Sequence, residues 1–469
     1  MVFSSLAFLF LFLPIVSIGY YFIPIRYSNT WLMMCSLLFY YLGDKNHIGL
    51  LLVVIAITYI AGVVIQKSQG WRKRGVLLLS VGLLIIIMSY YKYWDFLITN
   101  INQLFSTSLA MQGIAFPIGI SFFIFQAISY IVDVYRGENP LCNYVDLALY
   151  ISFFPQLIAG PIVRFKDINE YMGERFRKIK GEDIEEGIWR FCTGLSKKVL
   201  LANNLGILAN IVFGVNNIHD YSVMYSWLGA VAFTLQIYFD FSGYSDMAIG
   251  LGRIFGFRFQ ENFNYPYTAT SVKIFWRRWH ISLSQFFRDY VYIPLGGNRC
   301  SWDRWIFNVS CVWLLTGIWH GASWTYIMWG VLYGVILVVE QLLEDRCNIQ
   351  AGILWEIMSH FYTMIVVVIL WVLFKASSLN KAVDFVQNMF GMGASGFVDQ
   401  GFMFQLGNNL ITLLVAALFC LPIMEWLNNR MKQSSAWETV KTVCLLLCTL
   451  ASVSYIYMGS YNPFLYFMF

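Results

Sequence analysis

Thr316-Gly317-Ile318-Trp319-His320-Gly321-Ala322-Ser323-Trp324 joins two long apolar runs, Trp305–Gly317 and Thr325–Val339. An ionisable histidine between two membrane-grade segments is unfavourable in lipid, and such groups are functional by default. From Trp305 to Val339 there are 35 residues, whereas one complete span needs about 20. Two spans and a turn scarcely fit, so a helical pair would hold the His320 turn below the membrane surface. Irregular backbone at that depth is tolerated only inside protein or beside a water-filled cavity. Gly317 and Gly321 flank the histidine and allow close backbone approach. The plainer alternative is a loop histidine at the interface, held by its Trp neighbours in an aromatic belt.

The rest of the chain agrees with a membrane setting. Of 469 residues, 59% are hydrophobic and only 12% charged, and aromatics reach 18%. That composition belongs to an all-α polytopic membrane protein and excludes an ordinary soluble domain. The longest polar stretch, Arg164–Lys198, is too short for a sizeable core of its own. Leu6–Ile23 lacks a positive leader and a small-residue cleavage site, and reads as a first span. The nine cysteines are scattered, with Cys444 and Cys448 one helical turn apart. They read as small buried hydrophobes, and neither a disulfide framework nor a metal site is expected.

Apolar segments run Leu6–Ile23, Trp31–Leu42, Ile48–Ile65, Val76–Tyr93, Ile114–Val134 and Leu147–Ile162. After the polar stretch come Leu195–Val215, Tyr225–Phe241, Met247–Phe255, the Trp305–Val339 pair, Trp355–Phe374, Leu410–Trp426 and Val443–Met458. Trp31–Leu42 and Met247–Phe255 are short enough to be half-helices or interfacial. The expected architecture is about 11–12 transmembrane helices plus re-entrant or interfacial pieces. One integral-membrane domain covers residues 1–469, with a catalytic core near 115–340. Lys67, Arg72, Lys73 and Arg74 place their loop in the cytoplasm, which puts the N-terminus outside. The loop Arg253–Arg304 has eight basic and three acidic residues, a surplus equal to the whole chain's net charge of +5. This basic cytoplasmic face suits either anionic lipid or a polyanionic, nucleotide-bearing donor.

Within that loop, Trp276, Trp279, His280, Leu283, Phe287 and Tyr290 recur at helical spacing. The spacing predicts an amphipathic helix over Phe275–Tyr290, lying in the interface. It ends at the turn-rich Ile293-Pro294-Leu295-Gly296-Gly297-Asn298. His280 falls on the aromatic face, as either a hydrogen-bonded core histidine or an active-site group. Upstream, Gln236–Asp246 sets Asp240 and Asp246 around Ser242, Gly243 and Ser245, next to an apolar span. These carboxylates suggest a cavity wall, with pairing to backbone amides or nearby Arg as the simpler reading. His47 and His219 sit in loops, and His360 in an apolar helix. The sequence holds no Gly-rich phosphate loop, no His-x-x-x-His metal pair and no Gly-x-Ser-x-Gly elbow. Nothing points to nucleic acid. Internal repeats are not evident, which weighs against a transporter built from inverted halves.

The histidines offer general-base chemistry near neutral pH. No serine or cysteine nucleophile stands out. Direct attack by a substrate hydroxyl, with His320 taking its proton, is the economical mechanism, and an acyl thioester suits the basic loop. Hydride or phosphoryl transfer would need cofactor machinery that is not visible. The competing classes are a transporter without chemistry, which would also carry polar groups at mid-depth, and a scaffold for a polysaccharide synthase.

Trp319-His320-Gly321-Ala322-Ser323-Trp324 resembles the signature of the membrane-bound O-acyltransferase family. Phe122–Arg136, Phe154–Arg164, Gln236–Asp246, Glu261–Tyr267, Phe275–Asn298 and the chain end Asn462–Phe469 are similar to its alginate O-acetyltransferase branch. The resemblance implies a helical ring around a thinned centre with a through-tunnel. It implies acetyl-CoA as a cytoplasmic donor substrate, with no bound cofactor, and His320 and His280 as the two active-site histidines. Lys273, Arg277 and Arg278 are candidates for the CoA phosphates, and Trp319, Gln236, Asp240 and Asp246 for the substrate or donor. The acetyl group would emerge on a polysaccharide outside a bacterial cytoplasmic (inner) membrane. An SGNH-hydrolase-like partner, absent from this chain, would carry it there. The D-alanyl-transferring teichoic-acid branch shares the fold and is a poorer match.

Overall fold

Long apolar helices turn their hydrophobic faces outward, the reverse of a water-soluble protein. The structure is a computed structural model that describes residues 2–141, 143–158, 160–172, 179–346, 352–431 and 434–459. Among these residues there is no β-strand. The chain end Asn462–Phe469, similar to the acetyltransferase branch, lies outside the described residues.

Six described helices are long and apolar enough to cross a membrane: Ile48–Lys67, Gly70–Phe105, Trp324–Glu344, Ile353–Lys375, Gln400–Phe419 and Ser435–Tyr457. Their apolar side chains include the exposed Leu78, Leu79 and Ile86, and Leu446, Leu447 and Leu450 near the end of the chain. Polar side chains take the interior instead, among them Gln126, Gln156, Lys198, Gln236 and Asp240. Lipid as the outer solvent accounts for this arrangement. The other expected segments form shorter or more polar helices, such as Ser28–Gly43 with 16 residues and Asn203–Phe213 with 11.

The chain divides into two compact units, one of Met1–Cys192 with Tyr244–Glu261 and one of Thr193–Gly243 with Asn262–Phe469. In the first, Tyr20 packs edge-on to Phe255 and donates its hydroxyl to the Phe255 carbonyl at 2.8 Å. Two stretches that resemble the acetyltransferase branch meet here around Tyr150. Its hydroxyl bonds Ser129 Oγ at 2.9 Å and donates to the Val163 carbonyl at 2.9 Å. The Lys166 amide donates to Asp133 at 3.2 Å. These residues bracket the backbone between Phe122 and Lys166.

The second unit carries the His320 turn. Its core is unusually aromatic, with Trp276, Trp279, Trp329, Tyr333, Trp371 and Phe374 all buried. Trp302–His320 (19 residues) and Trp324–Arg346 (23 residues) form the expected helical pair. Both helices run past the apolar segments read from the sequence. The pair is thus longer than the 35 residues of Trp305–Val339, and length alone does not fix the depth of the turn. The two helices meet backbone to backbone through glycines. A Cβ on Gly317 would lie 2.6 Å from the Tyr326 carbonyl, and one on Gly330 would lie 2.4 Å from the Trp313 carbonyl. Small residues at such crossings let helices approach closely in a membrane. Gly330→Val should therefore force the pair apart and destabilise the protein by about 1–3 kcal/mol. Thermal unfolding in detergent measures this, and an unchanged midpoint would mean that the crossing tolerates side chains.

Three expectations change. Tyr225–Phe241 and Met247–Phe255 are not separate segments but parts of one helix, Val223–Ile254, of 32 residues. Gly243 does not break it. A Cβ there would lie 2.8 Å from the Gly194 carbonyl, so the glycine serves close packing instead. The amphipathic helix over Phe275–Tyr290 is broken: Val272–Arg278 and Ile281–Phe287 are separated by Trp279 and His280. Phe275, Trp276 and Trp279 pack in the second unit's core, and Leu283, Phe286 and Phe287 are buried as well, so the stretch presents no continuous apolar face outward. Cys35 and Cys420 are buried as expected, but Cys444 and Cys448 are exposed. Their helix, Ser435–Tyr457, turns most of its surface outward, as a lipid-facing helix does.

Candidate active site

His320 is the last residue of its helix. Gly321 follows in extended backbone at φ 174°, and a Cβ there would strike the Tyr326 ring at 2.5 Å. Ser323 then starts the next helix, with its hydroxyl accepting from the Thr325 amide at 3.3 Å. The sequence Gly-Ala-Ser thus stops one helix and caps the next within three residues. A helix C-terminus favours positive charge in its last turn, which is the charge an imidazole acquires when it takes a proton.

The His320 ring is 5% exposed and enclosed by aromatics. Trp319, Trp329 and Phe374 have ring centroids 5.0, 5.0 and 5.2 Å away, all steeply inclined to it. Trp319 also touches His280, at 5.9 Å. The two predicted histidines are thus brought together, with Trp319 in contact with both. Phe241 closes the other side of His280, edge-on at 4.6 Å.

His280 is held in left-handed backbone, φ 43°, which is strained for a residue with a Cβ. Asn262 holds it there. The Ile281 amide donates to the Asn262 carbonyl at 3.0 Å. Asn262 Oδ1 accepts the Ser282 hydroxyl at 2.9 Å and the Ser282 amide at 3.3 Å. An oxygen accepting from that amide is an acceptor for the ring as well. The 3.1 Å contact to His280 Nδ1 is therefore Nδ1–H donating to Asn262, which assigns the tautomer and leaves Nε2 with its lone pair. His280 lies outside the six spanning helices. Burial, and then the charge of His320, push its pKa well below the ordinary 6.5, so the ring is neutral at neutral pH. Sequence reasoning missed Asn262 as a site residue; the only signal was its place in the Glu261–Tyr267 stretch. Asn262→Leu leaves several buried donors without an acceptor and should cost about 1–3 kcal/mol. It should also lower turnover, because the His280 ring loses its orientation. An unfolding midpoint equal to the parent's would show that Asn262 does not hold this break.

The remaining candidates separate by position. Asp240 pairs with Lys198 at 2.5 Å, and both side chains are almost completely buried. Asp240 adjoins Phe241, so the pair anchors the helix beside the His280 ring. Gln236 is buried, and its Oε1 has no partner among the described residues. Asp246 belongs to the first unit, where Arg190 donates to it at 2.8 and 3.0 Å and also grips Glu261. Lys273 bonds Glu344 at 2.7 Å and Gln341 at 3.1 Å. Arg278 donates to Thr268 Oγ1 at 2.5 Å, and Arg277 is exposed. The other histidines have local partners. His47 bonds Asp44, His219 bonds Asn388, and His360 bonds the Ala269 carbonyl. Among the described residues, no three His, Cys, Asp or Glu side chains converge as metal ligands.

Residues 35–380 match the model of the membrane-bound O-acyltransferase family. The chain is 39% identical to a probable alginate O-acetylase of Pseudomonas putida, across 100% of both chains. It is 32% identical to a peptidoglycan O-acetyltransferase of Helicobacter pylori, over 100% of this chain and 98% of that one. Similarity to a teichoic acid D-alanyltransferase of Streptococcus thermophilus is 29%, over 48% of this chain and 56% of the other. The match covers the buried histidine pair, the Asn262 bracket and the His320 turn, so the chain belongs to the membrane-bound O-acyltransferase family.

Proposed function

We propose that this protein transfers acetyl from cytoplasmic acetyl-CoA to a hydroxyl group for O-acetylation of an extracytoplasmic polysaccharide. An SGNH-hydrolase-like partner delivers the group outside a bacterial cytoplasmic membrane. The observation that carries this reading is the buried pair His320 and His280, joined by Trp319 in one aromatic enclosure. The full-length likeness to polysaccharide O-acetylating enzymes supports the choice of acetyl and of acceptor class. The N-terminus lies outside, and the basic loop Arg253–Arg304 faces the cytoplasm and the donor.

In the reaction, the acceptor hydroxyl oxygen attacks the thioester carbonyl carbon while His320 takes the hydroxyl proton. The carbonyl π pair moves to oxygen. As it returns, the carbon–sulphur bond breaks and the thiolate leaves with its electron pair, to be protonated by the histidinium. An acetyl ester and free CoA result. Neutral His280, with Nδ1 tied to Asn262, directs its Nε2 lone pair and positions the donor side. Aromatic walls exclude water, which would otherwise compete as the acceptor.

The test is transfer of labelled acetyl from acetyl-CoA by the purified protein in detergent, with the SGNH-like partner as acceptor. Partner-dependent release of CoA is expected. D-alanyl transfer in its place would assign the protein to the teichoic-acid chemistry. Solute movement in liposomes without CoA release would make it a transporter.

A further inference from the structure

A cluster of buried donors that reaches His320 through Trp329 has no acceptor among the described residues. Trp276 Nε1, Trp329 Nε1 and Tyr333 Oη have no hydrogen-bond partner among the described residues. Trp329 and Tyr333 are 0% exposed and Trp276 is 7% exposed. Buried polar groups are nearly always bonded, and exceptions call for an explanation. These three form one cluster. Trp329 and Tyr333 lie one turn apart on the same face of their helix, with ring centroids 5.0 Å apart. Trp276 crosses to both from another element, at 5.5 and 4.9 Å. Trp329 stands edge-on to the His320 ring at 5.0 Å.

The chemistry of the missing partner follows from the donors. An indole N–H can only donate, so what it lacks is an acceptor. Two indoles and a phenol in one ring cluster, with Trp329 against the base, suit an oxygen that gathers negative charge. In acyl transfer that oxygen is the thioester carbonyl, which becomes an oxyanion when the hydroxyl adds. Donors already in place in a dry site stabilise such charge without reorganisation.

We propose that Trp276, Trp329 and Tyr333 form the cradle that holds the acyl carbonyl oxygen beside His320. This assignment rests on the acyl-transfer reading of the site. None of the three is a charged or nucleophilic residue, which is why motif reasoning passes over them.

Tyr333→Phe and Trp329→Phe test it, since each removes one donor and keeps a ring. At saturating acetyl-CoA, each should lower kcat by about 10²–10³-fold, with KM nearly unchanged and the unfolding midpoint retained. Should Trp329→Phe fail to fold, Tyr333→Phe decides, because it removes a single oxygen. A second readout is the infrared carbonyl stretch of carbonyl-labelled acetyl-CoA bound to His320→Ala protein. Adding Tyr333→Phe should move that stretch to higher wavenumber as a hydrogen bond is lost. The cradle is overturned if both Phe variants keep kcat within about threefold of the parent while His320→Ala is inactive. Donors satisfied by ring faces alone would behave so. A loss of kcat with an unmoved carbonyl stretch also overturns it, as a structural role. If His320→Ala itself turns over like the parent, the acyl-transfer reading of the site fails first and the cradle goes with it.

Discussion

Replacing His320 with alanine should lower acetyl transfer by about 10²–10⁴-fold, the usual effect of losing a general base. Two features of the structure set this expectation. The ring sits at a helix C-terminus, where the positive charge it gains on accepting a proton is favoured. It is also enclosed by Trp319, Trp329 and Phe374, so water cannot readily take over as base. Truncation leaves a cavity among these rings, and His320→Gln is the control that keeps most of the volume while removing the base. Both variants should insert and unfold like the parent, yet fail to release CoA. Single-turnover kinetics with labelled acetyl-CoA make the measurement. Parental rates in both variants would move the base elsewhere, with His280 the next candidate.

The second large effect is on stability. Lys198→Met should destabilise the protein by about 3–5 kcal/mol, because it strands the Asp240 carboxylate in the interior. The two side chains are only 3% and 2% exposed, so neither charge is solvated by water. Lys198 lies in a π-helical stretch, Lys197–Ala202, which packs against the long helix near Gly243. The pair thus fixes a helix whose next residue, Phe241, walls the His280 ring. Removing both charges in Lys198→Met/Asp240→Leu should restore most of the stability, since replacing a buried pair by apolar groups is often neutral. Thermal unfolding of the two single variants and the double variant gives the coupling. A single variant within about 0.5 kcal/mol of the parent, the range of ordinary surface changes, would show that the pair is not the anchor described. Activity should fall in the single variants and recover in the double one, if the anchoring rather than the charge matters to His280.

Much of this was readable from the chain alone, and the reasons differ by residue. The all-helical membrane class follows from hydropathy, which each segment carries independently of its neighbours. The His320 turn was legible for the same reason, because an ionisable group between two apolar runs stands out locally. The close backbone approach at Gly317 followed from the absence of a Cβ. Helical periodicity misled at Phe275–Tyr290. The break at His280 depends on Asn262, which lies eighteen positions away and leaves no trace in the local pattern.

The sequence by itself determined what each segment can tolerate: lipid on the outer helices, a histidine in the turn, small residues where backbones touch. Only the tertiary structure decided which polar groups meet. It paired Asp240 with Lys198 and Asp246 with Arg190, tied the His280 ring to Asn262, and gathered three donors without an acceptor among the described residues into one ring cluster that reaches His320 through Trp329. The physical reason is that hydropathy and periodicity are properties of one segment. A hydrogen bond or a buried ion pair belongs to two groups, and in these cases the chain brings them together from different elements.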